Sequence, residues 1–100
     1  EVSCTLRDVV NVAAGLVKPR GRVAMVHRSS RLADLLSAMR AANLEPKRLR
    51  LVQARAGVPP MMVLVEAIKD VKAGLEVMPT LMLYGEDGEY SEETKEIYFG

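Results

Sequence analysis

Two adjacent segments constrain the fold of this chain more than any other feature. From Lys47 to Arg55 the pattern has period two, Leu49 and Leu51 alternating with Arg48, Arg50 and Gln53. That alternation predicts a strand with one dry face and one wet, basic face. Ala56-Gly57-Val58-Pro59-Pro60 then reads as a turn or loop, and Met61 to Ile68 is nearly all apolar, as in an interior strand. A connection this short joins antiparallel neighbours. The second strand of the hairpin is thus more buried than the first. It must lie between an earlier strand and the basic strand, which suits an edge because positive side chains there discourage further pairing.

The residues upstream supply the earlier strand. Thr5-Leu6-Arg7-Asp8 has the form of a capping box with Asp in the fourth position. Behind it Leu6, Val9, Val10, Ala13 and Val17 recur at helical spacing and predict one apolar face. Lys18-Pro19-Arg20-Gly21 stops that helix. Val23-Ala24-Met25-Val26 is a short uninterrupted apolar run and reads as a strand covered on both faces. His27 and Arg28 fall at its end. Ser29 and Ser30 offer N-caps for a second helix, and Asp34 suits the dipole of its first turn. Leu32, Leu35, Leu36 and Met39 form its buried stripe, and Asn43 is the expected left-handed residue after it, with Leu44 packing back.

Downstream of the hairpin, Lys69 to Gly74 is a polar break, and Leu75 to Tyr84 reads as extended chain around an edge-marking Pro79. Gly85-Glu86-Asp87-Gly88 is a turn, and Ser91 caps a short acidic helix through Tyr98. All four aromatic residues, Tyr84, Tyr90, Tyr98 and Phe99, lie in this tail, where their expected use is to fasten it to the body. Residues 1–72 are expected to form one α/β unit, with 73–100 a tail packed on it. The helix–strand–helix opening implies parallel strands joined by a crossover. The hairpin then adds a reversed strand beside the first strand and the basic strand at the edge.

Composition narrows the function classes. One hundred residues, 49% of them hydrophobic, suffice for a single thin core. There is no run of about 18 apolar residues and no signal peptide. The chain opens at Glu1 rather than Met, so a processed or excised segment is expected. One cysteine, Cys4, beside the first helix start, cannot form an internal disulfide, which fits the cytoplasm. With a single His, a zinc or iron site is not expected. The methionines Met25, Met39, Met61 and Met62 read as core filler. The net charge of +1 conceals a split: residues 1–57 carry 11 Lys and Arg against 4 Asp and Glu, and residues 58–100 carry 3 against 9. The basic half has a field suited to phosphate, although solvated faces and edge strands are often basic too.

Several passages resemble a known family. Gly15-Leu16-Val17-Lys18-Pro19-Arg20-Gly21-Arg22 resembles the passage leading into the fifth strand of class I methyltransferases. Val26-His27-Arg28-Ser29-Ser30-Arg31-Leu32 is similar to the segment after that strand in one subgroup. Leu44-Glu45-Pro46-Lys47-Arg48-Leu49-Arg50, Leu64-Val65-Glu66-Ala67, and the tail from Tyr84-Gly85-Glu86-Asp87-Gly88-Glu89-Tyr90-Ser91 to Ile97-Tyr98 extend the match over almost the whole chain. Together they resemble the bacterial enzymes that methylate N6 of an adenine beside the anticodon of a valine tRNA. Arg20 stands where that family usually has Gly.

The resemblance implies the C-terminal half of a Rossmann-like methyltransferase fold. It implies S-adenosylmethionine as cofactor of the full-length protein, with tRNA or another RNA as substrate. The family's Gly-rich donor loop, its acidic residue after the second strand and its Asn-Pro-Pro-aromatic motif are absent from this sequence. Val58-Pro59-Pro60-Met61 lacks the Asn and the aromatic ring and sits in the wrong element. The chain alone is therefore expected to bind no cofactor and to have no activity, its contribution being a wall of the substrate cleft and part of the RNA dock.

His27, Arg28 and Arg31 are the first candidate RNA-binding residues, because α/β sheets place ligands beyond the carboxyl ends of strands. His27 reads equally as a satisfied strand-end histidine. Lys47, Arg48, Arg50 and Arg55 are the second group and would position an RNA backbone, unless their charge serves only to protect an edge strand. Two other functions fit the same sequence. One is a stand-alone basic α/β module that binds RNA without catalysis. The other is a structural fragment that self-associates, a homodimer covering the sheet edge that missing strands would otherwise pair with.

Overall fold

The computed structural model of the chain describes residues 5–85 and 89–99. Thr5 opens helix α1 (Leu6–Leu16) with both bonds of a capping box: its hydroxyl accepts from the Asp8 N–H at 3.1 Å, and its own N–H donates to the Asp8 carboxylate at 3.0 Å. Strand β1 (Arg22–Arg28) follows, then a 3-10 turn at Ser29–Arg31, helix α2 (Leu32–Ala41), and the long strands β2 (Leu44–Gln53) and β3 (Met62–Lys69). The tail adds two short strands, β4 (Glu76–Val77) and β5 (Leu81–Met82), and helix α3 (Glu92–Phe99). Cys4 and most of the expected turn, residues 86–88, lie outside the described residues, as do the side chains of Tyr98 and Phe99.

The sheet order is β1-β3-β2-β4, with β5 also on β2. β3 runs antiparallel to both its neighbours, so β1 and β2 are parallel and the reversed strand lies between them, as the hydrophobic contrast of the hairpin required. Like β1, β2 is an outer strand of the three long ones. Its far edge also carries β4 at Arg48 and Leu49 and β5 at Val52 and Gln53, both parallel. It begins three residues before the expected Lys47 because Pro46 is accommodated at a bulge: the register steps from Pro46↔Ala67 to Arg48↔Glu66, leaving Lys47 as the extra residue. Pro has no N–H to give to a ladder, and the extra residue shifts the side-chain parity. Leu44 and Pro46 before it and Leu49 after it are all buried.

Both helices lie on one face of the sheet. Val10 and Ala14 of α1, Leu35, Ala38 and Met39 of α2, and Leu44, Leu49, Val63, Val65 and Ala67 of the sheet form one buried cluster, against which Val23 and Met25 pack. Two sequence expectations are corrected here. β1 is covered on one face only: its residues alternate between exposed and half-buried, and Val26 is 58% exposed. On α1 the buried stripe is Val10 and Ala14, while Val9, Val12 and Leu16 form a second apolar stripe that faces solvent, Leu16 at 81%. Helical spacing records both stripes as apolar but cannot say which of them finds a partner. Among the methionines, Met39 is in the core and Met61 is exposed.

The ends of the elements are held by specific bonds. Lys69 of β3 donates from Nζ to the carbonyls of Ala14 (2.7 Å) and Val17 (3.1 Å), the C-terminal carbonyls of α1, which has no basic residue in its own last turn. Arg20 has φ +68, the left-handed region where Gly costs least, which is why a Gly would suit the turn. Asn43 after α2 has φ +63, and Leu44 is fully buried behind it, as expected. In the tail, Tyr84 and Tyr90 stack with ring centroids 5.2 Å apart and bridge antiparallel. Ser91 precedes α3, and its hydroxyl donates to the Met82 carbonyl at 2.5 Å. No helix among the described residues is long and apolar enough to cross a membrane.

Candidate functional site

The carboxyl end of β1 opens onto a cleft of about 440 Å3. Its polar rim is His27, Arg28, Ser30 and Arg31; Leu6, Val9, Met25 and Val26 make its apolar wall. The chain turns here because Ser29 is tied across the sheet. Its N–H donates to the Met61 carbonyl at 3.0 Å and its hydroxyl to the Pro60 carbonyl at 2.6 Å. Ser29 is therefore a strand-end clasp rather than the N-cap of α2. That position falls to Arg31, and no side chain caps the helix. Val58-Pro59-Pro60-Met61 serves the same junction through its backbone, Met61 also donating its N–H to Val52 at 3.0 Å.

His27 accepts the Arg28 N–H at Nδ1, 2.9 Å away. In the neutral ring the proton then sits on Nε2, leaving a donor at the cleft rim. Arg31 donates from Nε to Asp34 at 2.7 Å, and its terminal nitrogens have no other partner among the described residues. Arg28 is exposed and has no ion pair among the described residues. A smaller groove of about 200 Å3 adjoins the cleft, shares Thr5, Leu6 and Arg31 with it, and adds Arg7, Asp34 and Ser37. In the first turn of α1, Asp8 is held below the usual carboxylate range, first by the Thr5 N–H and then by the Thr5 hydroxyl.

The second candidate group is distributed differently. Lys47, projected by the bulge, donates from Nζ to the Lys72 carbonyl at 3.0 Å. Arg48 lies 3.8 Å from a Glu76 carboxylate oxygen and 3.8 Å from the Met78 sulfur. Arg50 is paired with Glu93 of α3, its Nε buried without a hydrogen-bond partner. Pairing with Glu66 and Leu64 puts Arg48 and Arg50 on the face away from α1 and α2. Each of these three cations holds a group of the chain between residues 72 and 93. Arg55 is exposed in the turn after β2, at the same end of the sheet as Arg28, which is level with Val52 across β3.

The structure thus brings His27, Arg28 and Arg31 together and separates them from the β2 group. Sequence reasoning missed Arg7, whose helical position gave no sign that it would meet Arg31. It also missed Lys69, more than 50 residues from the carbonyls it caps. The helix ends are steadied further by Arg40, which donates to Glu45 at 2.7 Å and is held above its ordinary value by that bond and the adjacent charge. Among the described residues no three of His, Cys, Asp and Glu converge on a possible metal position.

No family model matches the chain, and no curated protein sequence does. Among solved structures, a predicted O-methyltransferase from Agrobacterium tumefaciens superposes with a TM-score of 0.84 at 18% sequence identity. The match covers 92% of this chain and 44% of that one. At this identity the likeness concerns the fold: the chain adopts part of a methyltransferase fold and spans less than half the length of that protein.

Proposed function

We propose that this chain is the C-terminal part of a bacterial, cytoplasmic S-adenosylmethionine-dependent RNA methyltransferase acting on adenine N6 of a tRNA. In that protein it walls one side of the substrate cleft and helps to dock the RNA. The observation that carries the reading is the reversed β3 between parallel β1 and β2, in a fold that overlays 44% of a predicted O-methyltransferase. Three uncovered surfaces support it. Val26 on the outer face of β1 is exposed, the Val9–Val12–Leu16 stripe of α1 is exposed, and β1 ends the sheet among the described residues.

The free edge can be read residue by residue. Lys69 donates its N–H to the Gly21 carbonyl and Ser29 donates to Met61, so by antiparallel alternation the odd residues of β1 bond to β3. The even ones, Arg22, Ala24 and Val26, aim their N–H and C=O outward, while the Arg28 N–H is already held by His27 Nδ1. An upstream strand beside β1, with helices behind it, would cover edge, face and stripe together.

The residues present do not fit S-adenosylmethionine. Ser29-Ser30-Arg31 leaves β1 without the glycines that let backbone approach a nucleotide, and Arg28 and Arg31 at the cleft have the same sign as a sulfonium. Donor and adenine-holding groups are therefore assigned to the upstream part, and this chain by itself is assigned no activity. Titration calorimetry with S-adenosylmethionine tests the reading on this chain and on the whole gene product. Binding by the whole product alone is expected; binding by this chain would overturn the division. Binding by neither would favour a stand-alone RNA-binding module.

The free edge also favours, as a second reading, a homodimer through β1. An antiparallel β1–β1 pair in full register would set Arg22 opposite Arg28 twice, and like charges directly opposite are destabilising. We therefore assign the edge to an upstream strand. A concentration-dependent dimer in sedimentation equilibrium, abolished by a charge at Val26, would reverse that choice.

A further inference from the structure

We infer that single-stranded RNA crosses this chain along the cleft and its adjoining groove, its phosphates held by Arg28 and Arg7 with Arg31 between them, and not along the basic strand β2. The inference rests on the RNA reading above and gives it a location. Charge counting favours β2, where Lys47, Arg48 and Arg50 fall within four residues. The contacts favour the other site. Each β2 cation already faces a carbonyl or carboxylate of Lys72, Glu76 or Glu93, so an RNA phosphate there would compete with that group and, at the two carboxylates, be repelled by its charge.

Arg7 and Arg28 have no such partner among the described residues, and both are exposed. Arg31 lines both concavities and so makes them one path. Two carboxylates stand beside it. Asp34 is bonded to Arg31 and Asp8 to Thr5, so each is committed to the first turn of its own helix. Ser30, Ser37 and His27 add hydrogen-bonding groups along the way, and Leu6 and Met25 give an apolar wall for ribose and base edges.

The test is fluorescence anisotropy of a labelled 12-nucleotide single-stranded RNA with this chain, titrated over a range of salt. Each phosphate contact contributes about 0.7 to the slope of log K against log salt for a single strand. Arg7→Ala with Arg28→Ala should lower that slope by about 1.4 and weaken binding roughly 25-fold at 0.1 M salt. The Arg7→Lys, Arg28→Lys pair should keep most of the slope, because it keeps the charges. Arg48→Gln, which leaves the Arg50–Glu93 pair intact, should change neither quantity. A slope lost through Arg48→Gln and kept in the Arg7, Arg28 double variant overturns the location while leaving RNA binding in place. No binding by the unaltered chain overturns the location too, and the calorimetry above then decides separately whether the methyltransferase assignment stands.

Discussion

Replacing Lys69 by methionine tests the least local bond in the structure. The substitution keeps the stem, which runs through the half-buried layer beneath α1, and removes only the ammonium. Nζ donates to two carbonyls, 2.7 Å and 3.1 Å away, at a helix end that has no basic residue of its own. Hydrogen bonds to a charged group contribute about 1.5–3 kcal/mol each, and the cation also meets the negative end of the helix dipole. Taking the lower figure because the group is only part-buried gives about 3 kcal/mol. Against this stands about 1 kcal/mol regained when a long side chain is no longer ordered. The expected net loss is about 2 kcal/mol. In urea unfolding followed by circular dichroism, the midpoint should fall by on the order of 1 M with an unchanged slope. Hydrogen exchange locates the effect: amides of α1 should lose more protection than those of β3. A midpoint within about 0.3 M of the unaltered chain, or protection lost first from the sheet, would refute the claim that β3 caps α1.

Gly21→Ala should destabilise by about 1–3 kcal/mol, because its Cβ would lie 2.5 Å from Val17 Cγ1 and 2.8 Å from the Lys18 carbonyl oxygen, which the Gly21 N–H already holds at 2.7 Å. The neighbouring Arg20→Gly relieves a left-handed φ and should be neutral or stabilising; a thermal melt in which it loses as much as Gly21→Ala would contradict the turn geometry. Asp8 makes a pH prediction. Its carboxyl is held below 3.8 by the Thr5 bonds, so its contribution is present above the unfolded value and is lost as pH falls through the folded one. Asp8→Asn should accordingly lower the melting temperature at neutral pH, and its gap to the unaltered chain should close at an acidic pH where the carboxyl is protonated in both states. An equal gap at both pH values would remove the capping box from the account.

Much of the fold was legible in the residues themselves. A charged period-two segment beside an apolar one decides which strand is inner, because burying alternate arginines costs far more than burying valines. Thr5 with Asp8 and Asn43 before Leu44 are local patterns whose bonds close within a few residues, and each formed as read. That His27, Arg28 and Arg31 lie together was legible because a strand end and the turn after it are contiguous in sequence. Their meeting with Arg7 was not, since it depends on how α1 lies against α2.

What the sequence by itself determined is periodicity: which residues share a face and which of them avoid water. What only the tertiary structure decided is which surface meets which. Val23 and Val26 are equally apolar in the sequence, yet the helices pack over one face of β1 and leave the other bare. Arg48 and Arg28 are equally basic, yet Lys72, Glu76 and Glu93 lie against β2, and Glu76 reaches only the first of them. The reason is physical. Hydrophobicity and charge are non-directional properties of a residue, whereas cover and neutralisation belong to pairs of surfaces, and the partners here are joined across 25 to 55 residues of chain.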